Sequence, residues 1–143
     1  GAAVDLSGTT QTLARLSGNG LVTNGTLAVS GDIAPGGTNT VGTLTLASAV
    51  PLSGTLLTDV ALDGTSDLLQ AQGPLNLTGL ALQIADVSQL KSGKRYVIAS
   101  CAPGGLTGPF ASANLNANNW TVSYNNAIGE VRLISRGLLI LVH

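Results

Sequence analysis

Apolar and polar residues alternate along most of this chain in short runs, which is the pattern of half-buried β-strands. Each run ends at Gly, Asn, Asp or Pro, the residues that favour turns. Only the segment from Ala85 to Lys91 approaches helical spacing, and it is long enough for about two turns at most. The pattern therefore predicts an all-β chain, with strands at Ala3–Leu6, Thr12–Leu16, Thr26–Val29, Thr43–Leu46, Thr55–Leu62, Asp67–Gln70, Leu75–Leu77, Leu80–Ile84, Arg95–Ala99, Trp120–Tyr124 and Glu130–Ile134.

A short motif recurs at uneven intervals, formed by an aliphatic residue, then Ser or Thr, then Gly. We interpret it as the last inward side chain of a strand followed by a turn, where Gly permits the positive φ that a turn can need. The uneven spacing indicates a degenerate repeat rather than a strict array. The copies are Leu6-Ser7-Gly8, Leu16-Ser17-Gly18, Val29-Ser30-Gly31, Leu52-Ser53-Gly54, Leu77-Thr78-Gly79 and Leu106-Thr107-Gly108.

Two architectures accommodate short strands joined by Gly turns, namely a parallel β-solenoid and a β-sandwich or barrel. The solenoid is favoured because the strands are short, the turns are too tight for Greek-key crossings, and aromatic residues make up only 3% of the chain. A sandwich core usually contains more large aromatic side chains, so it is kept as the alternative. The length of 143 residues fits a single domain over 1–143.

The two parts of the predicted domain differ in composition. All four aromatic residues lie late in the chain, at Tyr96, Phe110, Trp120 and Tyr124. We therefore interpret 1–90 as a regular coil and 91–143 as a modified C-terminal end, because a solenoid must cover its last rung. The basic cluster formed by Lys91, Lys94 and Arg95 is expected to be a solvated turn.

The last apolar run, Leu138, Leu139, Ile140, Leu141 and Val142, contains no charge. If exposed it would be an aggregation hazard. Two interpretations stay open for it. It forms a final core strand, or it is a self-association segment that pairs with a neighbouring subunit.

The low charge and the lengths of the apolar runs argue against two classes of partner, nucleic acids and membranes. Charged residues make up 9% of the chain and the net charge is −1, so no basic surface for nucleic acid is expected. No run of 18 apolar residues predicts a membrane span. The lone Cys101 cannot form an internal disulfide, and the Gly1-Ala2-Ala3 start without Met is expected of a processed or partial chain.

Candidate chemistry is sparse. The single histidine is the terminal residue, His143, so neither a Ser-His-Asp triad nor a zinc site is expected. The densest carboxylates are Asp59, Asp63 and Asp67, which we interpret as turn residues bonding nearby backbone N–H groups, ahead of a calcium site or a glycosidase pair. The sequence therefore predicts no enzyme, no cofactor and no metal.

Residues 24–37, Asn-Gly-Thr-Leu-Ala-Val-Ser-Gly-Asp-Ile-Ala-Pro-Gly-Gly, and residues 42–46, Gly-Thr-Leu-Thr-Leu, resemble the autotransporter-associated β-strand repeat of large secreted bacterial proteins. The segments 67–73 and 80–84 are similar to the rungs that follow it, and 96–100, 106–110, 120–124 and 130–133 to its closing segment. The resemblance implies a right-handed β-helix, export, and an extracellular or cell-surface role. Only one Pro-Gly copy is present and the tail matches nothing in the repeat, as expected of a fragment or a small relative.

Three functions follow as hypotheses. The first is a structural protein, either a self-associating subunit of an extracellular fibre or a stalk segment, with copies of itself as partners. The second is an adhesin or glycan-binding module that would use the aromatic rings of Trp120 and Tyr124. The third, least supported, is a polysaccharide-active enzyme built on the three Asp residues.

Overall fold

A computed structural model of the protein describes residues 2–18, 20–36, 41–46, 52–91, 94–115 and 120–135. The expectation of an all-β chain is confirmed for these residues, in which the only helical element is a 3₁₀ turn at Val87–Gln89, inside the segment with weak helical spacing. The strands found in the described segments are β1 (Ala2–Gly18), β2 (Gly20–Pro35), β3 (Thr43–Leu46), β4 (Gly54–Thr58), β5 (Leu68–Ala71), β6 (Leu75–Asn76), β7 (Leu80–Ile84), β8 (Tyr96–Ser100), β9 (Leu106–Thr107), β10 (Ser112–Ala113), β11 (Trp120–Asn125) and β12 (Glu130–Ser135).

Most strand pairs are parallel, and the chain returns repeatedly to the same two places in the sheet. The first residues of β2 pair with β3, β3 pairs with β5, and β5 pairs with β8. The last residues of β2 pair with β4, β4 pairs with β7, and β7 pairs with β10. A further parallel pair, β6 with β9, lies outside this sheet.

Apolar side chains are stacked along each series of parallel strands. Leu44, Leu69 and Ala99 occupy successive register positions in one series, and all three are buried. Ile33, Leu56 and Leu82 do the same in the other series. Because alternate residues of a strand point to opposite faces, each strand supplies its apolar face to a core between the two series.

The Ser/Thr-Gly motif marks places where neighbouring backbones approach each other closely. A methyl group on Gly31 would overlap the carbonyl oxygen of Ala14, and one on Gly54 would overlap the carbonyl oxygen of Gly31. Gly54 also has a φ of 102°, which L side chains rarely adopt. The motif was interpreted as a turn signal. At these two positions the missing side chain of Gly also leaves room for the backbone of the preceding pass of the chain.

The first two strands are longer than the sequence pattern suggests. β1 contains 17 residues and β2 contains 16, where separate short strands were predicted. Their pairing continues through two irregularities in register, between Asp5 and Thr9 and between Leu13 and Arg15. Residues such as Gly8, which end a run in the sequence, therefore lie inside a strand that bends rather than between two strands.

Candidate functional site: the two ends of the parallel sheet

The N-terminal end of the sheet is formed by β1. Among the described residues β2 is the only strand that pairs with it, in a register that begins at Ala2 with Gly20 and ends at Gly18 with Pro35. We call the backbone edge of β1 that faces away from β2 the β1 edge. It presents up to 17 residues of strand, and an edge of that length is a template for pairing with another strand.

One ion pair connects the side chains of β1 and β2. The guanidinium of Arg15 donates a hydrogen bond to the carboxylate of Asp32 at 3.1 Å, and both side chains are about half exposed. Arg15 and Asp32 are also register partners, so the ion pair links adjacent strands across the surface. An exposed pair of this kind contributes about 0–1 kcal/mol to the free energy of unfolding. Its effect on the choice of register between β1 and β2 is of the same small size.

At the C-terminal end the parallel order stops. β12 pairs with β8 in the antiparallel direction, and β11 pairs with β12 to form a hairpin that is, among the residues the structure describes, the last element of this side of the sheet. A further parallel strand on this side would have to pair with β11, which contains six residues. The two ends of the sheet therefore differ both in direction of pairing and in length of edge.

Aromatic side chains fill the space beneath this hairpin. Tyr96 has no exposed surface and Trp120 is 7% exposed, and their ring centroids lie 5.7 Å apart at an angle of 60°. The hydroxyl of Tyr96 donates to the carbonyl of Ala61 at 2.9 Å and accepts from the amide of Lys91 at 3.0 Å. These contacts tie the hairpin to the preceding pass of the chain, the arrangement expected where a stack of strands is covered.

Asn114 takes the place of a strand at the edge of β7. Its Oδ1 accepts from the amide of Ile84 at 2.8 Å and its Nδ2 donates to the carbonyl of Ile84 at 3.1 Å. A carboxamide carries the same donor and acceptor as a peptide group, so it satisfies both backbone groups that a neighbouring strand would otherwise pair. Asn126 acts similarly on β9, where its Oδ1 accepts from the amide of Leu106 at 2.9 Å.

Sequence reasoning did not identify either asparagine. Asn114 and Asn126 lie in segments rich in Asn, Ala and Ser, where nothing in the pattern separates an edge cap from an ordinary turn residue. Asn at the position that follows a short strand is the only signal available, and Asn is common in turns for other reasons.

The two aromatic residues predicted to contact glycans lie in different environments. Trp120 is buried against Tyr96, so its ring offers little surface to a sugar. Tyr124 is half-buried, and its ring lies 6.1 Å from that of Phe110. The Tyr124 hydroxyl accepts from the amide of Phe110 at 2.9 Å, and burial raises the pKa of this phenol above its usual value. The two rings therefore do not form one exposed platform.

Of the three carboxylates considered for chemistry, Asp63 lies apart, whereas those of Asp59 and Asp67 interact with each other. Asp63 is exposed and accepts from the amide and hydroxyl of Thr65 at 3.0 and 2.7 Å, which confirms the predicted local turn and lowers the pKa of Asp63. Asp67, by contrast, is 1% exposed and accepts from the amides of Gly42 and Asp59 at 2.8 and 2.9 Å. The donor at Gly42 is 25 residues away, so Asp67 ties distant segments together instead of closing a local turn.

Burial raises the pKa of Asp67 to about 7, and the two amide donors offset this only partly. In the part of the chain that the structure describes, no group of three or more His, Cys, Asp or Glu residues could hold a metal ion. His143 and the apolar run Leu138–Val142 lie outside the described residues.

The remaining predicted features have ordinary surroundings. Lys91, Lys94 and Arg95 are exposed, in agreement with a solvated turn. Cys101 is partly buried, its thiol donates to the carbonyl of Ala102 at 3.4 Å, and burial raises the pKa of the thiol, which favours the protonated form. None of the described helical residues forms a segment long and apolar enough to cross a membrane.

Comparison with known proteins adds no family to this description. A scan against protein-family models found no match, and a search of curated proteins found none either.

Proposed function

We propose that this protein is a right-handed parallel β-solenoid with a structural rather than enzymatic role at the bacterial cell surface, where it joins other β-structure through the β1 edge. The observation that carries the proposal is the difference between the two ends of the sheet. Within the described part of the chain, one end has a long strand paired with one neighbour, and the other has an antiparallel hairpin and two asparagine caps.

The pattern of pairing supports the solenoid over the sandwich. Register partners of the named strands recur at intervals of about 17, 24, 25 and 30 residues along the chain, in the parallel direction up to β10. A sandwich is built mainly from antiparallel strands. Parallel neighbours need a crossover for each pass, and such crossovers are right-handed in about 98% of cases, which favours a right-handed coil.

The structural role is supported by how the polar groups are used. The buried and partly buried polar side chains described above bond mainly to backbone groups, and such side chains hold passes of the chain together. Asp59 and Asp67 interact with each other, and Asp67 is 1% exposed and bonded to two backbone amides, which supports a role inside the fold for this carboxylate. The cell-surface location rests on the resemblance of 24–37 and 42–46, and of the shorter segments between 67 and 133 named above, to the secreted repeat.

The location is tested by antibody labelling of intact and of permeabilised cells of the source organism, viewed by immunoelectron microscopy. We expect gold particles on the outside of intact cells. Labelling that appears only after permeabilisation would contradict the proposal. In parallel, the purified chain is incubated with pectin-like and β-glucan polymers. We expect no shortened product, and release of oligosaccharides would show that the role is enzymatic.

A further inference from the structure

Residues 59–67 form a small hairpin between β4 and β5. The amide of Asp67 donates to the carbonyl of Asp59 at 2.8 Å, and the amide of Ala61 donates to the carbonyl of Thr65 at 2.9 Å. Asp59 begins the first arm of the hairpin and Asp67 ends the second. The two aspartates therefore lie side by side at its base.

The Asp67 carboxyl group joins this hairpin to the start of β3. Its Oδ2 accepts from the amide of Asp59 at 2.9 Å, and its Oδ1 accepts from the amide of Gly42 at 2.8 Å. The side chain is 1% exposed, so water has little access to these two hydrogen bonds. The first arm of the hairpin and the residue before β3 are thus held together by one buried carboxyl group that bonds to both.

The surroundings of Asp67 favour its protonated form. Burial and the Asp59 carboxylate, to which the Asp67 side chain is also hydrogen-bonded, raise the pKa of Asp67 to about 7, while the two amide donors lower it in part. Two carboxyl groups in contact resist ionising together, because their like charges repel at short distance. Among the described residues, no Lys or Arg forms an ion pair with Asp67.

The other ionisable side chains on the segments around this pair have places of their own. Asp86 is exposed and bonds within its own turn. Lys94 lies beside the tip of the hairpin, and the hydroxyl of Tyr96 donates to the carbonyl of Ala61 at 2.9 Å. β3 contains no ionisable side chain. The described side chain that acts most directly on the charge of Asp67 is therefore that of Asp59.

We propose that the Asp59–Asp67 pair is a proton-dependent latch that closes the hairpin on the start of β3. In the closed form Asp67 is protonated and donates a hydrogen bond to the Asp59 carboxylate, while its oxygens keep the two backbone amides. When this proton passes to solvent, the two carboxylates repel each other and the first arm moves away from Gly42. The inference does not depend on the proposed cell-surface role, because the movement takes place within one chain.

Movement of the first arm changes the surface beside it. A cleft of about 280 Å³ is lined by Val41 and residues 59–61, together with residues of the segment 85–89. Val60 is 9% exposed in the closed form. Separation of the arm from Gly42 widens the cleft and uncovers Val60, so the released form presents more apolar surface than the closed form.

The first test is amide hydrogen exchange of the full chain, measured by NMR at pH 5 and pH 7. Protection factors are compared, since they remove the ordinary acceleration of exchange by base. The closed form binds the proton more tightly than the open form, so opening becomes up to about tenfold more favourable per pH unit in this range. We expect the protection factors of the Gly42 and Asp59 amides to be roughly 10- to 100-fold lower at pH 7 than at pH 5.

A low concentration of urea shows whether this opening is local. Local opening exposes little surface, so protection at Gly42 and Asp59 should not change with urea below the unfolding transition. The amide of Leu69, in the middle of the sheet, is the reference and should lose protection as urea is added, because it exchanges through larger unfolding. If the amides of Gly42 and Asp59 follow the urea dependence of Leu69, they open only with the whole domain and the latch is overturned.

Variants separate the pair from other effects of pH. Asp67→Asn has no ionisable group at this position and should remove the difference between pH 5 and pH 7 at Gly42. Asp59→Asn removes the repelling charge and should shift the titration of the Asp67 carboxyl carbon, followed by carbon NMR, to lower pH. Asp63→Asn is the matched control, since Asp63 is exposed in the same hairpin and bonds to Thr65, and it should behave as the wild type.

The carboxyl titration of the wild-type chain decides the case even where a variant fails to fold. A midpoint near 7 for Asp67 supports the latch, and a midpoint near the ordinary value of about 4 overturns it. Equal protection of Gly42 and Asp59 at pH 5 and pH 7, or a pH dependence that persists in Asp67→Asn, overturns it as well. Antibody labelling of cells is unaffected by these results, so the proposed function is tested separately.

Discussion

The two ends of the sheet differ in how the outer backbone groups of their strands find hydrogen-bond partners. Every stack of strands has a first and a last strand whose outer backbone groups need partners. At the C-terminal end the chain supplies them from its own side chains and from a hairpin that reverses direction, over buried aromatic rings. At the β1 end, the described residues supply none beyond β2. Among the described residues, one end is therefore covered by side chains and a hairpin, and the proposed function assigns the joint to the other end.

The largest expected effect is at the covered end. Replacing Trp120 by Ala removes a ring that is 7% exposed and contacts Tyr96, and should lower the free energy of unfolding by about 3–5 kcal/mol. Ile128→Ala, at a side chain that is 45% exposed near the same hairpin, is the control and should cost less than about 0.5 kcal/mol. Urea unfolding followed by circular dichroism measures both. A Trp120 loss below about 1 kcal/mol would mean that these rings do not hold the cover in place.

The junction between β1 and β2 should be broken by Gly31→Ala. Its methyl group would overlap the carbonyl oxygen of Ala14, and overpacking against backbone should cost about 2–3 kcal/mol. Gly73→Ala meets no atom within 4 Å and serves as the control, with an expected change within about 0.5 kcal/mol. Hydrogen exchange should show that amides of β1 lose protection first in Gly31→Ala. Equal effects of the two substitutions would argue against close approach at this crossing.

The middle of the sheet should respond to pH where the ends do not. Asp67 has a pKa of about 7 in the folded chain and about 4 when unfolded, so the folded state binds the extra proton between these values. The contribution of this carboxyl group to the free energy of unfolding is therefore complete below pH 4. As the pH rises from 4 to 7 this contribution is lost, by at most about 1.4 kcal/mol per pH unit. Urea midpoints at several pH values test this. Asp67→Asn should flatten the slope, and an unchanged slope would assign the pH dependence to another group.

A smaller effect is expected when the cap on β7 is removed. Asn114→Ala leaves the amide and carbonyl of Ile84 without their side-chain partner, at a cost of about 1 kcal/mol because water can replace it in part. Asn114→Asp keeps an acceptor for the amide but no donor for the carbonyl, and should fall between Ala and wild type. Both are measured by urea unfolding. An Asn114→Ala variant as stable as the parent would mean that the carboxamide does not function as a cap.

The sequence predicts the repetitive part of this molecule better than its ends. Alternation located most strands, because this signal comes from neighbours in the chain. The Ser/Thr-Gly motif was interpreted as a turn signal, and its close backbone approaches at Gly31 and Gly54 were not predicted. The roles of Asn114 and Asp67 were not predictable in the same way. Each depends on backbone groups 25 or 30 residues away, which only the register of the folded sheet brings close.

The lengths of β1 and β2 were mispredicted for a related reason. Gly8 follows an apolar run, so it was interpreted as a turn after a strand, but it lies inside β1 although its φ is positive. Gly18 does end β1. Pairing with the neighbouring strand carries β1 through its bend near Gly8, since backbone hydrogen bonds on either side outweigh the local preference for a turn.

The contrast between joint and terminus is tested most directly by amide hydrogen exchange, measured residue by residue in dilute and in concentrated solution. The account predicts that raising the concentration slows exchange of amides within 2–18 and leaves those of β11, residues 120–125, unchanged. Slower exchange in β11 without change in β1 would contradict it, because the joint would then lie at the hairpin end of the sheet.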